Sequence, residues 1–94
     1  MKRAEVTIVN RLGLHARPSA ALTQLATRFA ADVFLTKGTR RVNGKSIMGV
    51  MMLAAAKGSV IVVETEGKDE EQALDALVAL IASGFGEETT EQGA

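Results

Sequence analysis

Val60-Ile61-Val62-Val63-Glu64-Thr65 is the stretch whose reading decides the fold. Four consecutive β-branched residues favour extended backbone, and an unbroken apolar run points to a central, buried strand. Lys57-Gly58 before it and Glu66-Gly67 after it are turn signals. Downstream, Leu74, Leu77, Val78 and Ile81 recur with helical spacing. Asp69 stands at the start of that helix with Gln72 three residues on, which predicts a capping box. Glu70 and Glu71 fall in its first turn, where the helix dipole favours acids, and Gly84 is the natural stop.

Upstream, residues 4–9 alternate in polarity as a half-buried strand does. Leu22, Leu25, Ala26 and Phe29 form one apolar helical stripe. Pro18 fits the first turn of that helix, where a missing N–H costs nothing, so the helix begins just after His15. Residues 32–37 and 40–43 read as a hairpin around Gly38. Ser46 predicts an N-cap for a short helix from Ile47 to about Leu53. The order is βαββαβα, which favours an α+β sandwich with helices on one face of a sheet. Residues 1–86 are expected to form one domain and residues 87–94 a disordered acidic tail.

Composition narrows the function. The chain has 94 residues and 47% apolar content, enough for one core. It has no cysteine and one histidine, so disulfides, thiol catalysis and a metal centre are not expected. Met1-Lys2-Arg3 leads into no long apolar run, so no signal peptide is expected. The longest apolar runs are too short to span a bilayer, and a cytoplasmic protein without membrane contact follows as the expectation. Net charge is zero, yet residues 1–57 carry ten Lys/Arg against Glu5 and Asp32, and residues 58–94 carry Lys68 against nine acids. Folded together, these become either ordinary solvated charge or a cationic face for acidic partners. Three Phe and no Trp or Tyr give too few stacking groups for a nucleic-acid platform.

The chemistry concentrates in Gly13-Leu14-His15-Ala16-Arg17-Pro18. A helix start presents free N–H groups and partial positive charge, a ready anion site. The backbone around Ala16, Arg17 and Pro18 is therefore the candidate phosphate-binding region, with Arg17 adding a forked cationic donor. A His15 ring nitrogen that carries its lone pair is able to attack phosphorus. A single histidine at a helix mouth is equally compatible with a solvated surface residue. The combination with Arg17 and Pro18 is what raises phosphoryl chemistry.

That hexapeptide, followed by Gly44-Lys45-Ser46-Ile47-Met48-Gly49, resembles HPr, the histidine-containing phosphocarrier family of the bacterial phosphoenolpyruvate-dependent phosphotransferase system. The resemblance covers about residues 1–85. It implies an open-faced sandwich, a four-stranded antiparallel sheet under three helices. It implies a carrier, not a complete enzyme, that needs no cofactor and no metal. His15 would accept a phosphoryl group on Nδ1 from phospho-enzyme I, with Arg17 neutralising it, and pass it to an enzyme IIA-type protein. Ser46, a cap in its own right, would be a regulatory target of a serine kinase/phosphorylase. Leu14, Ala20, Ile47, Met48 and Met51 would form an apolar docking patch, rimmed by Arg11, Arg28 and Lys45. A monomer is expected, since a carrier must expose its site. Met52 is bulkier than the small polar residue expected there. The alternative is a regulatory binding module acting through Ser46 and the apolar patch without phosphotransfer; His15, Arg17 and Pro18 together argue against it.

Overall fold

A computed structural model describes residues 1–86. The elements are β1 (Lys2–Thr7), α1 (Ala16–Ala26), β2 (Asp32–Lys37), β3 (Arg40–Asn43), α2 (Ile47–Met52), β4 (Val60–Glu66) and α3 (Glu70–Ala82), closed by a 3₁₀ turn, Gly84–Gly86. The tail expected at residues 87–94 lies outside the described residues.

The four strands run in the order β1-β4-β2-β3, every pair antiparallel. β4 is therefore central, as its composition predicts. Val63 sits opposite Ala4 on one side and Leu35 on the other. It is not buried on both faces, however. Ile61, Val63 and Thr65 are buried while Val60 is 51% exposed and Val62 is half-buried. The helices cover one face only, so the β-branched run here reflects strand propensity rather than enclosure. The expected first strand, residues 4–9, begins two residues earlier. β4 runs on to Glu66, and Lys2 pairs with Thr65 near that end.

Val6, Val33, Leu35, Ile61 and Val63 from the sheet pack with Leu22, Ala26, Val50, Leu53, Leu77 and Ile81 from the helices into one core. On the open face Arg41 lies 3.9 Å above the Phe34 ring and 3.3 Å from a Glu64 carboxylate oxygen. This pairing ties a front-half cation to a back-half acid. The linear charge split is to that extent neutralised within the sheet.

The capping box at Asp69 is corrected. Asp69 occupies the N-cap position, but its side chain makes no capping bond. Its two carboxylate oxygens accept from the Ala30 and Ala31 N–H groups, at 2.9 and 2.8 Å. The backbone N–H of Gly67 donates instead to Glu70 Oε1 at 3.1 Å. Asp69 thus stitches the start of α3 to the turn between α1 and β2, a demand that local sequence does not reveal.

Candidate functional site

His15 is the N-cap residue of α1, with extended backbone (φ −79°, ψ −170°) and no side-chain capping bond. Its carbonyl accepts from the Ser19 N–H at 3.0 Å, the first helical bond. Ahead of that bond, the N–H groups of Ala16 and Arg17 have no intrahelical acceptor, and Pro18 has no N–H to offer. Ala16 and Arg17 are both exposed, and the first turn contains no acid to compete for an anion. Pro18 is buried and anchors the turn in the core. His15 itself is half-buried, held at the surface rather than in the interior.

The loop that delivers His15 is fixed from several sides. Gly13 N–H donates to the Asn10 carbonyl at 3.1 Å, and Asn10 Nδ2 donates back to the Gly13 carbonyl at 2.8 Å. Leu14 N–H donates to the Ala55 carbonyl at 2.9 Å, and Ser19 Oγ donates to the Leu14 carbonyl at 3.1 Å. Gly13 has φ +66°, and a Cβ there would collide with the Ala55 carbonyl oxygen. Only glycine allows this approach. Asn10 and Ser19 are fully buried and went unnoticed in the sequence as positioning residues. A signal existed for one of them: Ser19 is in phase with Leu22 and Ala26 on the apolar stripe of α1, where a polar group must find a partner.

The Leu14–Ala55 bond also brings the end of α2 beside the His15 loop, because Ala55 lies two residues past the C-cap, Leu53. Ser46 caps the other end, accepting from Gly49 N–H on Oγ at 3.1 Å as its composition predicts. Seven residues at 1.5 Å each put the two ends about 10 Å apart. The last carbonyls of α2 are met by the β2–β3 hairpin. Arg40 donates to the Met52 carbonyl at 3.0 Å and Lys37 to the Ala54 carbonyl at 3.2 Å. These cations complement the negative helix end.

Of the expected patch, Ile47 (40%), Met48 (66%) and Met51 (39%) are exposed, and so is Met52 (58%). Val50 and Leu53 are buried. At about 100° per residue, the four exposed side chains cover an arc of roughly 140° opposite that buried pair. Ala20 is half-buried. Leu14 is corrected: it is only 5% exposed, part of the core beneath the loop, and offers nothing to a partner. Lys45, expected on the rim, is half-buried and donates to the Phe29 carbonyl at 2.8 Å, while Arg11 and Arg28 are exposed. Among the described residues no helix is long and apolar enough to cross a membrane.

The family model described as the PTS HPr component phosphorylation site matches residues 2–83. Phosphocarrier protein HPr of Cupriavidus necator is 58% identical over 87 residues, 93% of this chain and 98% of that protein. The crystal structure of HPr-C-His from Thermoanaerobacter tengcongensis superposes with a TM-score of 0.90 at 48% identity, covering 94% of this chain and 99% of that one. An HPr dimer from the same organism superposes with a TM-score of 0.74 at 47% identity, covering 93% and 100%.

Proposed function

The chain belongs to the HPr family of phosphotransferase-system phosphocarriers, and on that premise we propose that His15 is its phosphoryl acceptor. The observation that carries this reading is the seat of His15 at the N-cap of α1, half-buried, with the exposed Ala16 and Arg17 backbone beside it. Nδ1 of a neutral ring attacks the phosphorus carried by phospho-enzyme I. The new N–P bond forms as the bond to the donor nitrogen breaks, and the donor imidazole leaves with the electron pair. Transfer to a histidine of an enzyme IIA-type protein repeats the same displacement. The Ala16 and Arg17 N–H groups and the Arg17 guanidinium stabilise the phosphoryl oxygens in both steps.

Phosphoryl transfer between two proteins is fast only if the site is built before the donor arrives. The buried Asn10, Ser19 and Gly13 contacts supply that preorganisation. Ile47, Met48, Met51 and Met52 serve as the docking face, together with half-buried Ala20. Flexible thioethers suit a surface that binds donor and acceptors in turn. Ser46 acts as a regulatory phosphorylation site for a serine kinase/phosphorylase. Added phosphate is tolerated electrostatically at a helix N-terminus but places about two negative charges beside the docking face. The protein works in the cytoplasm as a monomer, without cofactor or metal, and is not an enzyme alone. The exposure of Arg17 beside His15 favours this reading over a binding module without phosphotransfer.

The test is incubation with enzyme I and phosphoenolpyruvate. One acid-labile phosphate on the intact protein, absent in His15→Ala, is expected; an unmodified mass for the wild-type chain refutes the carrier role.

A further inference from the structure

Apart from Met1, every sulfur atom of the chain lies on one six-residue helix: Met48, Met51 and Met52 of α2. There is no cysteine to react first. In a core, methionine fills gaps and is shielded from oxidants. Here the three are 66%, 39% and 58% exposed and share one arc of the helix surface, with only Ile47 among them. The chain just past the end of this helix meets the His15 loop, through the Leu14–Ala55 hydrogen bond. From this placement we propose that α2 is an oxidation switch: peroxide converts Met48, Met51 and Met52 to sulfoxides and thereby closes the docking face to the phosphoryl donor. The inference rests on the carrier reading given above.

The step is a two-electron oxidation of each thioether. A sulfur lone pair attacks one peroxide oxygen, the O–O bond breaks, and an S–O bond forms. The departing hydroxide takes up the proton released by the attacked oxygen and leaves as water. Sulfur is oxidised and peroxide is reduced. Each event exchanges an apolar, flexible group for a strongly polar, chiral one, which must be desolvated before a partner can cover it. The core does not take part, since Val50 and Leu53 hold α2 from its other side and contain no sulfur. The helix and its Ser46 cap therefore persist, and the change acts on association rather than on folding. A thiol-dependent methionine sulfoxide reductase returns the thioether, with two thiols oxidised to a disulfide and the oxygen released as water.

The experiment treats the full chain with hydrogen peroxide and locates the added oxygens by peptide mass analysis. Initial rates of phosphorylation by enzyme I and phosphoenolpyruvate are then measured on treated and untreated protein, with circular dichroism as the fold control. The expected result is oxidation at Met48, Met51 and Met52 with unchanged dichroism. KM for the carrier rises about fivefold or more with kcat little altered, as loss of docking requires. Treatment with both epimer-specific reductases together restores the original KM. In the triple variant Met48→Leu, Met51→Leu, Met52→Leu, the ratio of treated to untreated rate stays near one, whatever its own basal rate. Resistance of the three methionines to peroxide overturns the switch. Sulfoxides that leave KM unchanged overturn it, as does a loss of helical signal on oxidation. An untreated chain that accepts no phosphoryl group overturns the carrier reading itself, a failure separate from these.

Discussion

At the residue scale, the site depends on a few atoms whose partners are fixed by backbone geometry. Gly13 shows this most directly, because its φ of +66° and its contact with the Ala55 carbonyl leave no room for a side chain. Gly13→Ala is expected to cost about 2 kcal/mol or more and to displace the Leu14–Ala55 bond. Chemical denaturation and the rate of phosphorylation should report both effects together. Ser46→Ala removes one capping bond and is expected to cost about 1 kcal/mol while leaving His15 competent. Ser46→Asp, by contrast, should keep the cap and slow transfer from enzyme I. A KM rise in Ser46→Asp that is absent in Ser46→Ala separates charge from capping. Arg17→Lys keeps the charge but loses the planar fork, so a fall of about tenfold or more in phosphoryl transfer is expected from steady-state kinetics.

At the element scale, α3 is tied down at its start by two carboxylates. The Ala30 N–H foremost, with the Ala31 N–H and the Lys45 charge adding to it, holds the Asp69 carboxyl below its usual range. The Gly67 N–H does the same for Glu70, helped by the chain's own N-terminal ammonium 3.4 Å away. A carboxyl depressed in the folded state contributes stability that is present above its unfolded value and is lost as pH falls through its folded value. The two anchors should therefore weaken below about pH 4. Because both groups are only half-buried and still reach solvent, salt should soften the effect. Asp69→Asn is expected to flatten the acid limb of a pH–stability curve, whereas Gln72→Ala should leave that limb as it is. A Gln72→Ala variant that loses about 1 kcal/mol at every pH would restore the capping box that the structure replaces.

At the scale of the whole molecule, one face of the sheet is covered and the other is open, and the site lies among the covering helices. The basic half and the acidic half of the chain meet in the fold. Arg41 with Glu64, Lys45 near Asp69 and the N-terminus with Glu70 all join the two. Arg17 on α1 and Arg28 just past its end stay exposed, and α1 itself carries no acid. Electrostatic steering of an acidic donor by these exposed cations predicts a salt-sensitive association. The second-order rate of phosphorylation should fall as salt approaches about 1 M, where the Debye length shrinks to about 3 Å. The first-order transfer step within the complex should change far less, and stopped-flow quench measurements can separate the two.

The sequence by itself determined the element order, the central place of Val60–Thr65, the Ser46 cap and the seat of His15 at a helix start. Each follows from short-range rules: β-branching, helical spacing, proline geometry, and hydroxyl capping act within a few residues. Only the tertiary structure decided that Val60 and Val62 face outward, that Leu14 is core, and that Asp69 serves the α1–β2 turn instead of its own helix. It likewise decided which carbonyls, those of Gly13 and Leu14, Asn10 and Ser19 hold to clamp the His15 loop. The reason is the same in every case. Which face of an element is covered, and which distant N–H a polar group must satisfy, are set by neighbours far along the chain, and no local pattern encodes them.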